Sequence, residues 1–282
     1  MPQPKVHPGQ MESLPVARIR ALRHSSGTES EGRAMVKVSI KKQVEVDYRD
    51  IRADDPDDAF FMKLFPKVAP FTMTVERGIE APYQLFKAIQ YIVQNDIPGD
   101  IVECGVWRGG SMMLAAMALR RFGDTSRKIY LYDTFEGMTR PDERDTDWDG
   151  QNYQQLWDEA HEQNKTMGFG GTVDDVRANV LNTGYPEENL IFVKGPVEDT
   201  IPGTLPASAA LLRLDTDWYS STWHELVHLY PVLSTGGILI IDDYGWCEGA
   251  REATDKYIRE NSIRIFLSRV EESVRLGVKT ES

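Results

Sequence analysis

The chain has 282 residues, 41% of them hydrophobic, enough to build one large or two small domains around a core. Its 32 Lys and Arg face 44 Asp and Glu, and the net charge of −12 works against binding along a phosphate backbone, which excludes nucleic acid as an expected partner. Only Cys104 and Cys247 are present, so neither a disulfide framework nor a clustered-cysteine zinc site can be built, and both thiols are expected reduced and at least partly buried. No run approaches the roughly 18 apolar residues of a membrane helix, and Met1-Pro2-Gln3-Pro4-Lys5 is not the start of a secretory signal. A cytoplasmic protein without a membrane partner is the expectation.

Residues 1–42 carry eight Lys or Arg against Glu12, Glu29 and Glu31, a local balance of +5 that leaves −17 on the rest. With little apolar periodicity, 1–45 reads as a flexible basic arm that includes a short strand at 35–40, and the N-terminal region is a candidate for homodimer contacts. Residues 46–282 form the main domain. Leu85, Phe86, Ile89, Ile92 and Val93 follow Pro82 at helical spacing and predict an amphipathic helix over 82–93. After Pro98-Gly99, strands at 100–104, 128–132, 190–193, 209–214 and 237–242 alternate with helices near 110–121, 221–230 and 249–260. This alternation predicts an α/β fold with a doubly wound, mainly parallel sheet. Two late strands, 264–267 and 274–278, have no helix between them and predict an antiparallel edge.

The first sheet strand runs into Glu103-Cys104-Gly105-Val106-Trp107-Arg108-Gly109-Gly110-Ser111, a turn whose glycines let a backbone pass close to a ligand. Its Gly-x-x-x-Gly-Gly spacing is not that of dinucleotide enzymes, and it lacks the Lys-Ser/Thr that grips a triphosphate, so a nucleoside without a phosphate chain fits better. The neighbouring strand ends at Asp133, where a carboxylate can accept both ribose hydroxyls.

These residues, with Asp133-Thr134-Phe135-Glu136-Gly137-Met138, Leu214-Asp215-Thr216-Asp217-Trp218-Tyr219-Ser220-Ser221-Thr222, the stretch 231–237 and Ile241-Asp242-Asp243-Tyr244, resemble the macrocin O-methyltransferase family over about residues 60–260. The resemblance implies a class I methyltransferase-like fold with N-terminal helical additions. It further implies an enzyme that moves the methyl group of S-adenosylmethionine to a sugar hydroxyl of a glycosylated antibiotic precursor with Mg²⁺ assistance. Glu103, Gly105 and Ser111 would line the methionine end of the donor and Asp133 would hold the ribose, with Gly109 in the same turn. Thr134 and Phe135 would flank the nucleoside, and Gly195-Pro196-Val197-Glu198 is the local candidate for the adenine edge.

Asp215 and the pair Asp242-Asp243 end neighbouring strands of such a sheet, and three carboxylates converging at one crevice need a counter-charge. A hard divalent cation, Mg²⁺ above all, supplies it and leaves room for a substrate oxygen, whereas as an isolated pair Asp242-Asp243 could equally cap the following helix. Asp217, two residues beyond Asp215, is the candidate general base, and His224 is the runner-up. The stretch 139–172, with five acids between 142 and 149, reads as a solvated loop or an active-site lid, in which Trp148, Tyr153 and Trp157 either meet an aromatic glycoside or anchor the insertion. Two other functions compete: a metal-dependent glycosyltransferase built on the Asp215-Thr216-Asp217 triplet, and a non-catalytic nucleoside-binding protein that keeps only the glycine turn and Asp133.

Overall fold

Strand residues that alternate between two apolar faces set the architecture. The computed structural model describes residues 37–39, 43–45, 51–73, 78–162 and 171–280. A short hairpin, β1 (Lys37–Ser39) with β2 (Gln43–Glu45), is followed by α1 (Pro56–Val68) and α2 (Glu80–Gln94). Then β3 (Asp100–Cys104), α3 (Gly110–Phe122), β4 (Ile129–Asp133), α4 (Tyr153–Glu162), α5 (Val173–Leu181) and β5 (Leu190–Lys194) build one half of the sheet. The other half comprises α6 (Val197–Thr200), β6 (Ala209–Leu214), α7 (Tyr219–Leu229), β7 (Leu233–Ile241), α8 (Glu248–Glu260), β8 (Ser268–Arg269) and β9 (Arg275–Val278).

The sheet order is β5-β4-β3-β6-β7-β9-β8, parallel through β7 and antiparallel for the last two strands. The doubly wound sheet with an antiparallel edge is therefore present, and β6 and β7 are neighbours. Ile101, Leu211, Ile238 and Ile240 turn to a core shared with Phe61, Phe86, Ile89 and Leu119, whereas Val102, Leu212, Leu214 and Leu239 turn to one shared with Leu226, Leu229 and Tyr257. Period-two alternation in strands buried on both faces explains the split. Among the described residues no helix is long and apolar enough to cross a membrane.

Three boundaries differ from the sequence reading. The late strand expected at 264–267 lies instead at Ser268–Arg269, because Phe266, which gave that run its apolar look, is 83% exposed and unpaired with the sheet. Helix α7 starts two residues early, at Tyr219, and β7 starts at Leu233 rather than 237. Of the strand expected at 35–40, Lys37–Ser39 are described and form β1, and the other residues of that stretch lie outside the described residues. The remainder of residues 1–36, and residues 163–170 of the insertion, lie outside the described residues.

Candidate active site

Parallel strands deliver their loops to one edge of the sheet, and the turns after β3, β4, β6 and β7 meet there. Gly105 has a φ of +81°, and a Cβ on it would stand 1.8 Å from the Asp215 carbonyl oxygen. The glycine expected to make room for a ligand thus first makes room for the turn after β6. Gly109 is the left-handed N-cap of α3 (φ 88°), and a Cβ on Gly110 would meet the Phe71 carbonyl at 2.5 Å. Arg108 in the same turn donates to the Pro70 carbonyl at 3.0 Å and covers the Phe71 ring, so it anchors the N-terminal segment.

Asp133 staples this turn to β4. Its Oδ2 accepts from the Val106 and Trp107 amides at 2.7 and 2.9 Å, and its Oδ1 from the Phe135 amide at 2.6 Å. Burial pushes its carboxyl up, against the pull of those amides. Thr134 donates to the Gly137 carbonyl, closing the next turn, and Phe135 is buried in the main core. Ser111 and Gly110 line, with Arg213, Asp242, Thr72 and Leu85, a small pocket beside the first turn of α3.

The carboxylates expected to converge do so. Ligand-type oxygens of Asp215, Asp242 and Asp243 lie within 4.8 Å of one another, with Asp242 and Asp243 buried. The reading that Asp242 and Asp243 cap the next helix does not hold, since α8 begins at Glu248 with Cys247 as its N-cap. What sequence reasoning missed is Arg213. It faces Glu103 directly in the β3–β6 register, and its guanidinium, on a side chain 4% exposed, bonds Glu103 Oε1 at 2.7 Å, Asp242 Oδ1 at 2.5 Å and Asp215 Oδ2. Part of the counter-charge demanded by three acids therefore comes from the chain itself. A carboxylate oxygen has more than one acceptor position, so these bonds are compatible with a hard cation on the same group, and an all-oxygen donor set suits Mg²⁺. Desolvation and the neighbouring acids push Asp215 up, with Arg213 opposing.

Burial likewise pushes Glu103 up, from 4.5 to about 7, with Arg213 opposing and Asp242 and Asp133 reinforcing. The folded chain then holds that proton to higher pH than the unfolded one, so the stability linked to it is complete below about 4.5 and lost as pH rises through about 7. Urea unfolding of the wild type is expected to show stability falling across this window, and Glu103→Gln is expected to flatten part of the slope.

Asp217 stands on the turn after Asp215 with a φ of +68°, a strained conformation for a non-glycine residue and one that concentrates at functional sites. Its Oδ1 accepts from the Cys247 thiol at 3.6 Å, and Asp217, Asp243 and Cys247 form a second close group. Both cysteines are buried and unpaired with each other, as expected, and burial pushes the Cys247 thiol up. His224 is placed differently: its Nε2 lies 2.8 Å from the Ile201 carbonyl and its ring tilts against His228. Neither close group of metal-type ligands among the described residues includes it.

The acidic insertion is only partly solvated. Asp145 is fully buried and accepts from the Tyr219 amide at 2.8 Å and the Asp142 amide at 2.7 Å, while Asp147, also buried, bridges to Cys247. The Asp145 carboxylate pins the start of the insertion to the N-terminus of α7, and backbone bonds beside Asp147 pin it to the β7–α8 turn, while the Asp147 carboxylate accepts from the Asp149 and Gln151 amides. Tyr153 packs buried against Trp218, and Trp157, stacked on His161 of its own helix, is partly buried against the same cluster, so both anchor the insertion; Trp148 is 59% exposed.

Comparison with known proteins fits this site. The family described as Macrocin-O-methyltransferase (TylF) matches residues 16–275. The chain is 34% identical over 180 residues to a demethyldecarbamoylnovobiocin O-methyltransferase of Streptomyces niveus, a match covering 64% of this chain and 66% of that one. It is also 34% identical over 205 residues to an 8-demethyl-8-(2,3-dimethoxy-alpha-L-rhamnosyl)-tetracenomycin-C 4'-O-methyltransferase of Streptomyces olivaceus, covering 72% and 73%. Among solved structures it resembles the O-methyltransferase NovP with a TM-score of 0.68 and 26% identity, covering 80% of this chain and all of that one.

Proposed function

The chain belongs to the macrocin O-methyltransferase family, and from that membership and the gathered carboxylates we propose that it methylates a sugar hydroxyl of a glycosylated antibiotic precursor with Mg²⁺ assistance. As an O-methyltransferase of this fold it takes the methyl group from S-adenosylmethionine. The relatives act, by name, on glycosylated natural products, and the 4-hydroxyl of a noviosyl group is the first acceptor to test. Membership of a methyltransferase family supports this reading over the sugar-nucleotide and the non-catalytic ones.

The observation that carries the proposal is the placement of Asp217 beside the Asp215, Asp242 and Asp243 group. The sulfonium's leaving group departs as a neutral thioether, so the chain's tasks are to align the acceptor and to accept its proton. Glu103 and Ser111 would hold the methionine end of the donor, and Asp133 would hold the ribose from the end of β4. Asp215, Asp242 and Asp243 would hold the cation, whose charge, when it is bound, lowers the pKa of the acceptor hydroxyl. Asp217 takes the hydroxyl proton as the new O–C bond forms and the methyl–sulfur bond breaks. Trp148, exposed on the insertion, would cover an aromatic part of the acceptor.

A thermal-shift experiment tests both binding sites. S-adenosylhomocysteine is expected to raise the melting temperature, by about 2.7 kcal/mol of stability at a hundredfold excess over its Kd. Mg²⁺ is expected to add a further rise that Asp243→Asn abolishes. A rise with a nucleoside diphosphate sugar and none with the adenosyl compound would overturn the proposal.

A further inference from the structure

Glu225 lies outside the motifs that mark the site, yet it is fully buried in α7 beneath them. Its Oε1 accepts from the Thr216 hydroxyl at 2.9 Å, the Cys104 thiol adjoins the same carboxyl, and its Oε2 makes no hydrogen bond. The neighbouring buried positions on the helix are Ser221, Thr222, Leu226 and Leu229, and Glu225 is the one acid among the buried residues of α7. Replacing both partners of a buried hydrogen bond by apolar groups is nearly neutral, whereas removing one leaves the other unpaired, so the acid and the Thr216 hydroxyl are explained only as a pair.

Thr216 stands between Asp215 and Asp217. Its carbonyl accepts from the Trp218 amide at 2.8 Å and the Ser221 hydroxyl at 3.4 Å, which fixes the backbone on one side of the turn. The hydroxyl bond to Glu225 fixes the other. A left-handed residue such as Asp217 persists only where its surroundings over-determine it. We infer that Glu225 is a positioning residue that, through Thr216, holds the turn presenting Asp217 to the acceptor hydroxyl, an inference that rests on Asp217 being the base. Burial pushes the Glu225 carboxyl up, with Glu198 and Asp215 reinforcing, and glutamine keeps the carbonyl oxygen that accepts from Thr216.

The test compares Glu225→Leu, Glu225→Gln, Thr216→Val, the Glu225→Leu/Thr216→Val pair and Asp217→Asn, reading kcat, donor KM and melting temperature with an unmethylated noviosyl glycoside as acceptor. Glu225→Leu and Thr216→Val are each expected to lower kcat about ten- to a hundredfold through misplacement of the base, with donor KM within about twofold. The double variant should be no slower than the worse single one, and Glu225→Gln should restore most of the rate. Melting of the Glu225→Leu/Thr216→Val pair should lie close to the wild type, since neither partner is then left unpaired, and should Glu225→Leu not fold, Thr216→Val breaks the same bond from the other end. Wild-type kcat in Thr216→Val, additive losses in the double variant, or a Glu225→Gln as slow as Glu225→Leu would overturn the inference. If Asp217→Asn is inactive while Glu225→Leu turns over normally, Glu225 alone loses its role. If Asp217→Asn is fully active, the base assignment falls and takes this inference with it.

Discussion

Asp217→Asn is expected to lower kcat by about 10²–10⁴-fold while leaving the affinity for S-adenosylhomocysteine within about twofold. The change is isosteric, so the strained turn at φ +68° and the Cys247 thiol that faces Oδ1 at 3.6 Å keep their places. What is lost is the group that accepts the acceptor's proton, and an amide cannot replace it. The ion pairs that Arg213 makes with Asp215 and Asp242 do not use the substituted carboxylate. Single-turnover kinetics against calorimetric titration of the adenosyl product separates the two effects. A parallel loss of rate and product affinity would place Asp217 in donor binding instead.

Arg213→Met is expected to lower folding stability by about 3–5 kcal/mol, the range found when one partner of a buried ion cluster is removed. Against a typical domain stability of roughly 5–15 kcal/mol this is a large fraction. Three carboxyls depend on this one guanidinium, two of them, Glu103 and Asp242, almost fully buried. Without it their charges repel across the end of the sheet, and they are relieved only by taking up protons. Arg213→Lys keeps the charge but loses the fork that reaches three carboxylates, so it falls between the two. Urea unfolding at neutral pH measures the difference, and a midpoint equal to that of the wild type would mean that the acids are held without Arg213.

Arg213 also marks where reading the chain stopped short. Alternation in strand 209–214 places residues 211, 213 and 215 on one face, and a lone cation in a strand otherwise made of Ala and Leu calls for buried acids opposite. Which acids they are depends on the pairing of Glu103 with Arg213 between strands more than a hundred residues apart, and no local pattern encodes that register. Asp133, Asp215 and Asp242-Asp243 were legible because each ends an apolar run, where a parallel sheet collects its chemistry. Cys247 was not, because the turn that folds it back onto Asp217 joins a strand to a helix with no motif of its own. Asp145 looks like a surface charge in a polar insertion, and only its long-range partner, the Tyr219 amide, shows that it is buried. The late strand differs from the spacing for the same physical reason. Spacing gives the residue type at a position and leaves open which side of the element meets water.

The most direct test of the account is transfer of a labelled methyl group from S-adenosylmethionine to an unmethylated noviosyl glycoside, run with the wild type and Asp217→Asn, each with Mg²⁺ or with a chelator. Label is expected in the glycoside only with the wild type and Mg²⁺, at the sugar oxygen, with the chelator and the substitution each reducing transfer by about two orders of magnitude or more. Undiminished transfer in the chelator would contradict the metal assignment, and undiminished transfer by Asp217→Asn would contradict the base at the centre of the site.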